Sequence, residues 1–203
     1  MIIRIESAVA ESKLRNMSGR AIRKLARGSR LSLAVATVAF LIWPIQSSSA
    51  AFDSPGEYEV KAAFLFNFLK FIEWPAPTGG AIVVGIVGDN RFGDVIEGVV
   101  SGKSINGRPI SVKRMRSGDN LKACHILFVS LSEKNRTENI LGSLGGSSVL
   151  TVGESDRFTN AGGIIKFYFE GNRVRFEINT AAAERAQLKI SSKLLGLARV
   201  VRY

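Results

Sequence analysis

Ile82–Val87, IVVGIV, runs straight into Gly88-Asp89-Asn90. Five of its six residues are β-branched and none is polar, so it suits a strand covered on both faces. After the turn, residues 91–100 carry Phe92, Val95, Ile96 and Val99 at helical spacing. Two more apolar runs follow, HILFV at 125–129 and SVLTV at 148–152. Between them residues 133–144 predict a helix, with Ser132 as N-cap and Gly145 as stop. Residues 110–115 alternate and predict a less buried strand, after a loop rich in Gly, Asn and Pro at 101–109. Strand alternating with helix predicts right-handed βαβ units and a mostly parallel sheet.

The C-terminal part reads differently. Residues 163–169 and 173–179 alternate with period two around Gly171-Asn172, which predicts an antiparallel hairpin. Ile165, Phe167, Phe169, Val174, Phe176 and Ile178 share one face; Lys166, Tyr168, Glu170, Arg173, Arg175 and Glu177 share the other. Thr180 is expected to cap a helix over 181–186. Ser191 or Ser192 is expected to cap a last helix carrying Leu194, Leu195, Leu197, Ala198 and Val201. The expected fold is a three-layer α/β sandwich, its sheet mostly parallel with a C-terminal antiparallel β-hairpin.

Residues 58–75, YEVKAAFLFNFLKFIEWP, precede the first buried strand. At about 100° per residue, Val60, Phe64, Leu65, Phe68, Leu69, Phe71 and Ile72 form one apolar face, with Glu59, Asn67, Lys70 and Glu73 opposite. Pro75 predicts the helix end. Lys61 falls inside the apolar face and Phe66 among the polar residues. Two readings stay open: a core helix with a snorkelling lysine and a half-covered Phe, or a helix that also presents aromatics to another protein.

The first fifty residues read as an export leader. Arg20, Arg23, Lys24, Arg27 and Arg30 precede the apolar run LSLAVATVAFLIWPI at 31–45, and Ser48 and Ala50 put small residues at −3 and −1 of a cleavage site. Cleavage is predicted between Ala50 and Ala51, with Met17 as an alternative start. The competing reading is an uncleaved anchor, but the run has fifteen residues and contains Pro44, where about 20 apolar residues are needed to span a bilayer. Residues 51–203 would then form a single exported domain.

That segment holds 20 Lys and Arg against 15 Asp and Glu, so the whole-chain charge of +11 falls to +5. Lys113, Arg114 and Arg116 come nearest to a basic run, too sparse for nucleic acid. Cys124 is the single cysteine, which excludes an intrachain disulfide; it reads as a buried thiol, with an intermolecular disulfide as the alternative. Gly102-Lys103-Ser104 imitates the tail of a phosphate loop, but position 97 is Glu where the motif needs Gly. Gly85, Gly88 and Gly93 lack dinucleotide-loop spacing and read as a turn. His125, the single histidine, adjoins Cys124 on a strand, where neighbours face opposite sides, so a catalytic pair is not expected. One Cys and one His cannot make a zinc set. Glu154 and Asp156 in GESD read as turn caps. Neither catalysis, cofactor nor metal is expected.

KAAFL at 61–65 with Trp74-Pro75, ACHILFVS at 123–130, GGIIKFYFEGNRVRFEIN at 162–179 and LKISSKLL at 188–195 together resemble the YfiR family, over roughly residues 57–201. The resemblance implies a periplasmic regulatory binding protein that represses a transmembrane diguanylate cyclase through its periplasmic sensor domain, and so controls cyclic-di-GMP and biofilm formation. An outer-membrane lipoprotein antagonist and a homodimer are its further implied partners. The alternative is a periplasmic small-ligand module using the strand ends at 88–91 and 153–156. Expected exposure, rather than the family motif, selects Phe66, Trp74, Arg175, Glu177 and Leu194 as partner-binding residues. Phe66→Ala or Glu177→Ala is expected to leave folding intact and raise cyclase output. An amine buried at Lys61 needs an anion, and Glu177 in FEIN is assigned to it as a structural ion pair; the alternative is a surface Arg175–Glu177 pair.

Overall fold

The computed structural model describes residues 56–75, 79–116 and 118–203. The leader and its cleavage point lie outside these residues. In chain order the elements are α1 (Glu57–Phe71), β1 (Ile72–Glu73), β2 (Ile82–Val87), α2 (Val95–Val100), β3 (Ser104–Ile105), β4 (Arg108–Met115), β5 (Ile126–Val129), α3 (Thr137–Leu144), β6 (Leu150–Gly153), β7 (Ile165–Glu170), β8 (Arg173–Asn179), α4 (Thr180–Arg185), β9 (Lys189–Ile190), α5 (Ser192–Leu195) and β10 (Arg199–Val201). Short 3-10 segments at Leu121–Ala123 and Leu131–Arg136 complete the connections.

The main sheet runs β10-β8-β7-β6-β5-β2-β4-β3. From β4 to β7 every pairing is parallel, with Val84 opposite Val112 on one side and Ile126 on the other. β7 and β8 form the antiparallel hairpin, with Phe167 opposite Phe176. The expected α/β sandwich, mostly parallel with a C-terminal hairpin, is therefore what the chain adopts. Two buried clusters give it three layers. On one face α1, α2 and the segment after β8 cover Val84, Ile86, Ile126, Phe128, Val152, Ile165, Phe176 and Ile178. On the other, Ile140 and Leu144 of α3 pack with Val87, Cys124, Leu127, Val129 and Phe158. Burial from both sides is why IVVGIV shows no alternation.

Local boundaries depart from the sequence reading where backbone partners intervene. The helix expected over 58–75 stops at Phe71, because Ile72 turns extended and pairs with Ile190 in a two-stranded sheet, while Ser191 donates its N–H to the Phe71 carbonyl at 2.9 Å. The expected 133–144 helix starts as a 3-10 segment and becomes α-helical only at Thr137. Ser132 does not cap it; its Oγ accepts the Asp89 N–H at 2.9 Å. The expected loop 101–109 contains a tight hairpin. Asn106 and Gly107 both take positive φ, 50° and 76°, joining β3 to β4, as a type I′ turn requires. Asn179, not Thr180, caps α4, its Oδ1 accepting the Ala182 N–H at 3.1 Å. The expected last helix is one turn capped by Ser191, and the chain then extends as β10 beside β8.

Candidate functional site

In a doubly wound sheet ligands lie beyond the carboxyl ends of the strands, where strand order reverses; here that is between β2 and β5. This chain fills much of that edge with its own side chains. Glu154, following β6, accepts the Leu131 N–H at 3.1 Å and the Tyr58 hydroxyl at 3.2 Å. Lys61 bridges Glu154 to Glu57, one turn back on α1, and all three side chains are buried. Burial, and then the negative charge of Glu154, push the Tyr58 hydroxyl up, so it stays a donor. Gly88 has no room for a side chain: a Cβ would sit 2.6 Å from Ser132 Oγ. Glu154 is therefore an anchor for α1 rather than a turn cap. The ion pair assigned to Lys61 and Glu177 is corrected: Lys61 pairs with Glu57 and Glu154.

Glu177 lies on the far side of the sheet edge and is only 3% exposed. Thr159 donates its hydroxyl at 2.5 Å, Lys166 stands at 3.0 Å, and Arg199 of β10 clasps the same carboxylate. Burial alone would push Glu177 up; the hydrogen bonds from Thr159, Arg199 and Lys166 outweigh it and hold the carboxyl below its ordinary value. The neighbouring residues of FEIN are equally structural. Phe176 and Ile178 enter the core, and buried Asn179 donates to the Thr159 carbonyl at 3.0 Å while capping α4. Glu177 is thus no exposed partner contact. The alternative Arg175–Glu177 pair is not formed either; Arg175 meets Glu170 at 3.2 Å in the open.

The other selected residues separate. Leu194 is 2% exposed and belongs to the core, because α5 is a single turn with that side inward. Phe66 is half-buried, clasped by Lys70 and Lys103, whose ammonium groups stand 4.3 and 4.4 Å from its ring centroid. Lys103 so engaged, with Ser104 opening β3, shows why GKS makes no phosphate loop here. Trp74 is half-buried against His125, ring centroids 6.0 Å apart. Cys124 packs in the opposite cluster, and burial pushes its thiol up. Cys124 and His125 thus serve different faces and form no catalytic pair. Among the described residues no three His, Cys, Asp or Glu side chains cluster to hold a metal, and no helix is long and apolar enough to cross a membrane.

Arg175 opens on a groove with apolar walls between α1 and the hairpin. Val60 and Phe64 of α1 face Phe169 and Val174 of the hairpin across about 460 Å³, with Arg173 and Arg175 on the rim. Val60 and Phe169 are 44% and 45% exposed. The sequence put both on apolar faces; what it hid is that the hairpin overhangs the start of α1 and leaves the ends of both faces uncovered.

The sequence signature of the YfiR/HmsC-like family matches residues 58–199. The chain belongs to the YfiR/HmsC-like family. It is a family of periplasmic regulators of diguanylate cyclase signalling, regulatory rather than catalytic. The matched span includes both walls of the groove and, Glu57 apart, both ionic anchors. No curated protein matches the chain. Among solved structures it is similar to the crystal structure of a conserved domain protein from Vibrio cholerae O1 biovar El Tor strain N16961, with TM-score 0.51 and 11% identity over 71% of this chain and 60% of that one. This YfiR/HmsC-like chain therefore spans less than two thirds of that protein's length, and the likeness is one of fold.

Proposed function

We propose that residues 51–203, freed by cleavage after Ala50, act in the periplasm as a repressor of a transmembrane diguanylate cyclase. The domain binds the cyclase's periplasmic sensor part and stabilises its inactive state. Release raises cyclic-di-GMP and favours biofilm growth. Such control requires different affinity for the two cyclase states. The observation that carries the reading is the groove between α1 and the hairpin, where Val60 and Phe169 stand exposed together. Arg173 lies opposite Glu170 in the hairpin but forms no salt bridge among the described residues, and Arg175 pairs only with that same exposed Glu170. An apolar centre with a cationic rim suits a cyclase segment that presents an apolar side chain flanked by carboxylates. An outer-membrane lipoprotein that competes for the groove would act as antagonist, and a homodimer would pair two such surfaces. Phe66 and Trp74 lie away from the groove and are secondary contacts in this scheme.

The test is cyclic-di-GMP in cells producing Val60→Asp or Phe169→Asp at normal abundance. Both variants are expected to raise it towards the level of cells lacking the protein, with melting unchanged. Wild-type repression by both variants would remove the groove from the interface.

A further inference from the structure

A second cleft, of about 780 Å³, opens at the other end of α1, bounded by β1, the start of β2 and the β3–β4 hairpin. Leu69, Ile72, Ile82 and Ile105 give it an apolar floor, and Trp74 and His125 stand side by side in its wall. The Asn106-Gly107 turn places Ile105 directly opposite Arg108, so one short hairpin supplies both the floor and a cation.

Arg108 is held at two points. Its Nε donates to the Gly80 carbonyl at 2.9 Å, and its Nη2 lies 2.9 Å from His125 Nε2. No carboxylate pairs with it among the described residues, and a guanidinium has five N–H donors. The imidazole is contested as well. The Val83 N–H approaches Nδ1 at 3.2 Å while Arg108 approaches Nε2. Burial, then the Arg108 charge, lower the His125 pKa, and a neutral ring accepts at only one nitrogen. Two donors thus compete for one lone pair, and of the two it is the Arg108 guanidinium that lines the cleft.

We propose that this cleft binds a small organic anion with a flat apolar body, its acid group on Arg108 and its ring between Trp74 and Ile105. A cleft with an apolar floor and a polar rim that carries Lys70 and Glu73 as well as Arg108, of a size common for small-molecule sites, fits such a ligand when its acid group turns to the Arg108 side, away from Glu73. The carboxylate would satisfy guanidinium donors that the protein leaves open, and charge-assisted contact of this kind discriminates strongly against a neutral analogue. The inference is independent of the docking groove.

The test is calorimetric titration of the full chain with 2-naphthoate, with 2-naphthamide as neutral isostere and acetate as ring-free anion. In parallel, Trp43→Phe makes Trp74 the only indole, and its N–H resonance is followed by NMR. Naphthoate is expected to bind at least about tenfold more tightly than either control and to shift the indole signal. Arg108→Met should reduce naphthoate to the level of the amide, while Lys113→Met, an exposed cation elsewhere, should not. Since Arg108 also holds Gly80, Ile105→Trp provides a second variant that fills the floor with the cation intact, and it should weaken naphthoate about tenfold or more. Equal binding of naphthoate and naphthamide, silence of both heat and indole signal at millimolar ligand, or wild-type binding by Ile105→Trp would overturn the proposal.

Discussion

Glu177→Gln should destabilise this protein at neutral pH, and the deficit should fade in acid. The carboxylate is buried and meets Thr159, Lys166 and Arg199. Glutamine keeps the shape but removes the charge. Hydrogen bonds to a charged group contribute about 1.5–3 kcal/mol each. The Arg199 contact counts for less, because its side chain is 56% exposed and solvent screens it. Lys166, at 13% exposure, loses its anion with less access to water. The net cost is about 2–3 kcal/mol, a fall in melting temperature of about 4–12 °C for a domain of this size. Because the folded-state pKa of Glu177 is lowered, the stabilisation is full above the ordinary glutamate value of about 4.3 and is lost as pH falls through the lower folded value. Thermal melts followed by circular dichroism at pH 7, 5 and 3 read this directly. The gap between wild type and Glu177→Gln should be full at pH 7 and narrow towards pH 3. A variant melting within about 1 °C of wild type at pH 7, or an undiminished gap at pH 3, would refute the reasoning.

Lys61→Met should cost about 3–5 kcal/mol, since it leaves Glu57 and Glu154 buried without their shared cation; urea melts measure it, and adding Glu154→Gln should recover part. Gly163→Ala should cost at least about 1–3 kcal/mol, because its Cβ would lie 2.3 Å from the Phe158 ring, and Phe158→Leu should reduce that extra penalty in a double-mutant cycle. The His125 imidazole should titrate below about 6.5, owing to burial and Arg108, with Arg108→Met raising the midpoint; NMR of this single histidine checks both. The lowered value makes His125 a source of stability that is lost on acidification.

The parallel core was legible because residues 82–87, 125–129 and 148–152 are buried on both faces and carry no competing signal. The β7–β8 hairpin was legible from alternation and Gly171. Its counterpart at β3–β4 went unread although Asn106-Gly107 is a strong turn signal, because the flanking strand at Ser104–Ile105 has only two residues. Lys61 was rightly placed within the apolar face, but burial of its amine was left open against snorkelling, and its partners were missed. Glu57 stands at i−4 and was available from sequence, whereas Glu154 reaches it only through the sheet. Glu177 reads as the polar face of a strand, and nothing local reveals that residues 156–163 and β10 close over it. Leu194 illustrates the same limit. A run of apolar residues at helical spacing predicted a presented helix, yet capture of residues 199–201 by β8 ends it after one turn and turns Leu194 inward.

Contact with the cyclase is tested most directly by a photoreactive amino acid at Phe169, with a second at exposed Glu138 on α3 as control, irradiated in cells. The adduct from position 169 should be an inner-membrane diguanylate cyclase joined through its periplasmic part, and position 138 should give none. Absence of that adduct at 169, or its equal appearance from both positions, would contradict the account.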